Sequence, residues 1–247
     1  MLMMLLLHVI AGPTPVPVGA PMHYRIVAKT TTELDLSAMG QPAMSVVISV
    51  NGFVSVTITD TVGGKLAHVV VDSSTFDAGM FTAQLPPEMT ASSQGTVFHV
   101  YLAGGKPSAP IAGTPPGIQA GQLVPGIELI LAGIRPTKLA ENWVDTTSSD
   151  TAVPEGGSTW TRITTWTASG GAGGRIQTDG TWTGTTTVNM GPTKGEMQMN
   201  GVVHVTGMPG TLSETATSTG NGQASMNMMG SAIPMKVTME VTTSPTP

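Results

Sequence analysis

The sequence predicts an all-β protein made of antiparallel sheets, as a sandwich, a curved open sheet or a half-barrel in one body or two lobes, behind an N-terminal hydrophobic segment. Three observations carry that expectation. Apolar and polar residues alternate with a period of two over many short runs, which gives a pleated strand one greasy and one wet face. Glycine and asparagine turn signals recur at roughly ten-residue spacing. Only 10% of the 247 residues are charged, while Thr, Ser, Gly and Pro abound, so the exposed faces must be hydroxyl-rich rather than ionic.

Met1 to Ala11 reads MLMMLLLHVIA, and prolines at 13, 15, 17 and 21 forbid helix beyond it. The run has the greasy core of an export signal, with Val9-Ile10-Ala11 or Val18-Gly19-Ala20 as cleavage candidates, although no Lys or Arg precedes Arg25. As a helix it would extend about 16 Å, roughly half of a bilayer core. If retained, Met1, Leu2, Met3, Met4, Leu5, Leu6, Leu7, Val9 and Ile10 are candidate docking residues that dip into one leaflet or pack on membrane protein subunits. Gly12 to Pro21 would then be a stiff spacer.

His23 to Leu36 forms the first expected strand, with Tyr24, Ile26 and Ala28 on one face. Ser45 to Asp60 carries two β-branched runs around Asn51-Gly52, the strongest short-range signal for a hairpin turn. Gly63-Gly64 turns the chain into a strand over Lys65 to Asp72. Ser73 to Gly95 reads as loop, and Thr96 to Leu102 as strand. A lobe over 22–105 would end there. Prolines crowd between Lys106 and Pro125, so 106–141 is the expected linker, with a short apolar element at 125–133 that is either helix or buried strand. Strands resume over 142–247, and the last, Met235 to Thr242, alternates strictly.

Glu141 to Thr147 (ENWVDTT) and Ile233 to Val241 (IPMKVTMEV) resemble uncharacterised bacterial exported β-sheet proteins in which an aromatic-acid-Thr step opens the second half. The resemblance implies an exported β-sheet protein and brings no activity with it.

Chemistry is sparsely signalled. A net charge of −5 and a pI near 5.4 supply no basic field for phosphates, so nucleic acid is not an expected partner. With no cysteine, disulfides, thiolate zinc sites, cysteine nucleophiles and a lipid-modified cysteine are excluded together. The five histidines show no i, i+2 or i, i+4 pair, and His68, His99 and His204 read as structural. Among 17 methionines, Met197 with Met199 and Met226 with Met228 share strand faces near His204. They could meet soft Cu(I), or simply fill the core. Glu33/Asp35 and Asp72/Asp77 lack facing partners for acid-base work. Gly170 to Arg175 lacks the Lys-Ser/Thr of a phosphate loop and reads as a hairpin turn. Trp160 and Trp166, six apart on one strand face, are the candidate aromatic contact surface, with core packing as the competing role.

No catalytic residue, cofactor or metal site is therefore assigned. The expected function is a non-enzymatic structural or accessory protein of the bacterial envelope, periplasmic or otherwise extracytoplasmic. Its β-rich body would dock on or stabilise a membrane complex, respiratory or photosynthetic in kind. The alternatives are a carrier of an apolar ligand or lipid and, less favoured, a methionine-rich copper protein.

Overall fold

The computed structural model describes residues 20–61, 63–84, 94–103, 106–112, 126–135, 140, 142–153, 156–190, 193–228 and 231–247. The candidate docking residues of the N-terminal segment lie outside them. Eleven strands dominate: β1 (Met22–Leu34), β2 (Met44–Thr61), β3 (Gly64–Asp77), β4 (Val97–Ala103), β5 (Lys106–Ala112), β6 (Asn142–Val153), β7 (Gly156–Gly170), β8 (Ile176–Met190), β9 (Thr193–Gly207), β10 (Thr215–Met228) and β11 (Ser231–Pro245). Among the described residues one α-helix, α1 (Ile127–Ala132), resolves the apolar element that the sequence leaves open.

All eleven strands join one antiparallel sheet in the order β5-β4-β3-β2-β1-β11-β10-β9-β8-β7-β6, and the sheet is not closed. Each strand pairs with its neighbour in the chain, except at the centre, where β1 pairs with β11 from Tyr24↔Pro245 to Leu34↔Met235. The stretches before and after the proline-rich region are thus halves of one sheet with a continuous core. β5 and β6 lie at opposite edges, and α1, which falls between them in the chain, packs on one face of the sheet.

The hairpin expected at Asn51-Gly52 does not form. Both runs belong to the single 18-residue strand β2, and the turn comes at Gly63, whose φ is 82°. The reason is parity. A two-residue turn at 51–52 would pair Val50 with Phe53 and Ser49 with Val54, mixing greasy and wet faces. As one strand, Val46, Ile48, Val50, Gly52, Val54 and Val56 stay on one side. The register shift opposite Phe53 and Val54 leaves Asp72 of β3 as the extra residue, so the bulge lies on β3 and β2 runs through Gly52 unbroken.

One face, termed inner, carries the core. Tyr24, Ile26, Val54, Val56, Val69, Phe98, Leu102 and Val203 are buried there. The outer face is polar: Gln177, Thr181, Thr183, Glu196, Gln198, Asn200, Thr219, Asn221 and Gln223 are exposed. That arrangement is the inverse of a transmembrane barrel, whose outward band must be apolar. No helix among the described residues is long and apolar enough to cross a membrane.

Helix α1 packs on the inner face of the sheet. Its six residues are too few to be stable alone, but Ile127, Leu129, Ile130 and Leu131 are buried on the inner face. Glycines at its ends permit close approach. A Cβ at Gly126 would lie 2.7 Å from Val241 Cγ1 on β11, and one at Gly133 would lie 2.6 Å from Ser213 N. The same short segment reaches β7 through Glu128 and Arg162, and β6 through Arg135 and Asp145. β11 and β6 are five strand spacings apart, about 24 Å, whereas residues 126–135 advance only about 13 Å as helix. The side chains of Arg135 and Asp145 span most of the remaining distance.

Candidate binding site on the inner face

The strand register lines up inner-face residues in rows across the sheet. Next to α1, Thr164, Trp182, Gly201, Gly220, Met239 and Thr30 are successive partners on β7, β8, β9, β10, β11 and β1. Trp182 stands on β8, and its indole lies across the two glycines. A Cβ at Gly201 would sit 2.5 Å from Trp182 Cε2, and one at Gly220 2.6 Å from Cη2. Glycine is needed at both positions because the ring takes the volume a side chain would fill.

The following row runs Arg162, Gly184, Met199, Gly222, Val237, Thr32 and Val46. Beyond it come Thr186, Met197, Ala224, Met235, Leu34 and Met44. Met199 leans over Gly222, where a Cβ would lie 2.5 Å from its Cγ. These rows are apolar and face the same way as the core, yet Met44, Val46, Leu34, Met197, Met199, Ala224 and Met235 are only half-buried. On β9 burial falls along the strand from Val205 and Val203 to Met199 and Met197. The inner face therefore stays apolar over these rows while being less buried than the core, and this partly exposed apolar strip is termed the trough.

Arg162 stands at the head of that trough. Its guanidinium lies 4.7 Å from the centroid of the Trp182 ring, a stacking that suits its flat, weakly hydrated cation. Only 6% of the residue is exposed, and burial pushes the guanidinium below its ordinary pKa. Glu128 of α1 is the charge partner at 3.6 Å, beyond hydrogen-bond distance. Arg162 Nε has no hydrogen-bond partner, and neither does the Trp182 indole Nε1. Both groups donate and cannot accept, so the pair offers buried hydrogens without an acceptor.

A second aromatic group braces the β6–β7 end. Trp143 and Trp166 stack at 5.8 Å with planes 15° apart. Arg135 lies 4.6 Å over Trp143, and Asp145 accepts hydrogen bonds from Arg135 at 3.0 Å and from Trp143 Nε1 at 2.9 Å. Trp166 is thus core, 6% exposed, and not part of an aromatic contact surface. One face of its ring is covered by Trp143. The Trp160 side chain lies outside the described residues.

The other singled-out residues fall apart or regroup. Met197 and Met199 share the inner face, but His204 points outward and meets Asp179 at 2.6 Å. The copper grouping is therefore not assembled with that histidine, since odd and even residues of β9 face opposite ways. Met226 pairs with Gly195 in the backbone, its side chain being outside the described residues. Glu33 and Asp35 do not converge, and Asp35 accepts from Ser37 N at 3.0 Å. Asp72 accepts from Ser55 Oγ at 2.7 Å, while Asp77 accepts from Gly79 N. Residues 171–174 form the expected hairpin turn, with Gly171 N donating to Arg175 O.

Two pairings escape sequence reading because they arise between strands. His68 and His99 are register partners on β3 and β4, and their Nδ1 and Nε2 lie 2.8 Å apart on the outer face. Burial, and next the neighbouring His99, hold the His68 imidazole below its ordinary pKa. Arg162 and Trp182 are the second. The only linear hint is Gly180-Thr-Trp-Thr-Gly184, in which glycines flank a large ring. A shallow outer cleft between β9 and β10 is lined by Glu196, Gln198, Asn200, Asn221 and Gln223, all freely exposed. Among the described residues no three His, Cys, Asp or Glu side chains gather for a metal ion.

Fold and site together define an open antiparallel sheet with one helix on its inner face and an apolar trough ending at a buried cation. No family model matches the chain, and no curated protein matches it. Among solved structures it is similar to a BenF-like porin from Pseudomonas fluorescens Pf-5 at 6% identity, over 92% of this chain and 99% of that one, with a TM-score of 0.28. Acinetobacter baumannii OccAB2 is matched at 7% identity over 92% and 98%, with a TM-score of 0.26. A Rhodopseudomonas blastica porin triple mutant is matched at 8% identity over 90% and 99%, with a TM-score of 0.25. At these scores the matches define no common fold.

Proposed function

We propose that the protein is a non-catalytic binding protein for an apolar ligand, carried in the trough of the sheet. One observation supports this most: the inner face stays apolar beyond α1, over Leu34, Met44, Val46, Met197, Met199 and Met235, without being buried. Half-exposed apolar rows continuous with a core are unfavourable in water unless something covers them, and concave apolar faces are where small molecules are held. Flexible methionines suit a ligand of variable outline. Compartment belongs to the same proposal. A Gly/Thr/Ser-rich, charge-poor composition and the apolar run Met1 to Ala11 favour an extracytoplasmic protein, membrane-associated where that run is retained.

The test is uptake of N-phenyl-1-naphthylamine by the purified chain, with mass spectrometry of an organic extract of freshly isolated protein. Saturable uptake, weakened by Ala224→Trp with the circular-dichroism spectrum unchanged, is the expected result. No uptake and no extractable lipid would remove the reading. An accessory role on a membrane complex is the second reading. It is favoured by Val144 and Ile163, which are 51% and 45% exposed on the outer face beside the β6 edge. Co-purification with detergent-solubilised membrane subunits would support it.

A further inference from the structure

We propose that the ligand of the trough is a long-chain amphiphile with an anionic head, held by Arg162 Nε and the Trp182 indole Nε1. This rests on the apolar-ligand reading and adds the chemistry of the head group. A buried polar hydrogen without an acceptor is rare in folded proteins. Of the three unpartnered buried side-chain N–H groups among the described residues, on Arg162, Trp166 and Trp182, two belong to one stacked pair, with the Arg162 guanidinium 4.7 Å from the Trp182 ring centroid beside the apolar rows.

The donors select the ligand class. An amine or ammonium head would meet only hydrogens and a like charge, and an uncharged alkyl end would leave both donors unpaired in a dry place. A carboxylate or phosphate oxygen accepts from both, and charge-assisted bonds of this kind are the stronger ones. Glu128 does not already satisfy the site, because it stands 3.6 Å off, reaches a different guanidinium nitrogen, Nη1, and is 43% exposed. The tail then has one direction to run. Gly184 is the register partner of Arg162, followed by Met199, Gly222 and Val237. Two glycines in that row deepen the trough immediately beyond the head.

Carboxylate and phosphate heads share this chemistry and come from free fatty acids and from phospholipids, respectively. The experiment measures displacement of N-phenyl-1-naphthylamine from the full chain by palmitate, hexadecanol and a lysophosphatidylglycerol carrying one palmitoyl chain. Palmitate, the lysolipid or both should displace the dye roughly ten- to a hundredfold more tightly than hexadecanol, the range of one charge-assisted hydrogen bond. Which of the two anions binds tighter assigns the source of the head. Arg162→Met, close in length and still able to pack on Trp182, should bring the anions down to the level of hexadecanol and leave hexadecanol unchanged. Arg162→Lys keeps the charge and serves where the methionine variant fails to fold, with a partial preference retained.

Equal binding of anion and alcohol by the unaltered chain would overturn the head-group assignment and leave the apolar-ligand reading standing. So would an anion preference that survives Arg162→Met, since the head would then sit elsewhere. Failure of all three compounds to displace a bound dye would overturn the head-group assignment alone, whereas a chain that takes up neither dye nor lipid would sink both.

Discussion

Tyr24 shows how one buried group ties distant parts of the chain and leaves a measurable trace. It is 0% exposed and donates its phenol hydrogen to Ser213 O at 2.8 Å. Burial, and next the charge of Glu214, push its pKa up to about 12. The unfolded chain loses this proton near pH 10, so it binds fewer protons than the native chain between pH 10 and 12, and stability falls across that window. Denaturant titrations at pH 9 and 11.5 should show the loss. Tyr24→Phe should remove the slope and cost about 1 kcal/mol below pH 10, the worth of a neutral hydrogen bond. His68 gives the opposite sign. Its pKa is depressed in the folded state, so its contribution is complete above about pH 6.5 and is lost as pH falls through the folded value. The urea midpoint should drop between pH 7.5 and 5, and His68→Gln should shrink that drop. Neither pairing is legible in sequence, because Tyr24 and Ser213 are brought together by the β1–β11 seam and His68 and His99 by β3–β4 register. Arg162 reads as an ordinary polar residue between threonines. Only the fold shows that the even-numbered residues of β7 face inward.

Elements were legible where one face is large and greasy. β1 and β11 alternate, and their inward residues, Tyr24, Ile26 and Ala28 on β1 and Met235, Val237, Met239 and Val241 on β11, are the ones that alternation names. β10 was not legible as a whole, because its inner row is Ala216, Ser218, Gly220, Gly222 and Ala224, small residues that make room for Trp182 and Met199. A strand whose contribution is its emptiness has no hydrophobic period to read. Gly201→Ala tests this arrangement on β9. Its new Cβ would fall 2.5 Å from the indole, so we expect a loss of about 1–3 kcal/mol, typical of overpacking, together with a shift in tryptophan emission. At β2 the strongest turn signal failed because continuous parity outweighs a dipeptide. Strand or helix could not be decided for residues 127–132 by period, as so short a run satisfies both.

For the whole molecule, fold class and strandedness followed from alternation and composition, whereas the single sheet did not. The proline-rich region separates two similar-looking stretches in sequence, but nothing local to either says that β1 will pair with β11. That seam is thirteen-residue β1 held on both sides, by β2 and by β11, with Thr246 N donating to His23 O beyond it. Deleting residues 231–247 should therefore leave two half-sheets with raw central edges. Loss of the cooperative unfolding transition, read by circular dichroism, is the expected outcome, and a deletion protein that still unfolds in one step would contradict it. The seam also has a temporal side. During synthesis β1 leaves the ribosome early, while the neighbour that completes it is assembled almost at the other end of the chain. Its unpaired edge stays available to foreign strands throughout that interval. Production of this protein should accordingly depend on holding factors that shield a nascent chain, and should suffer first where translation is fast and such factors are scarce.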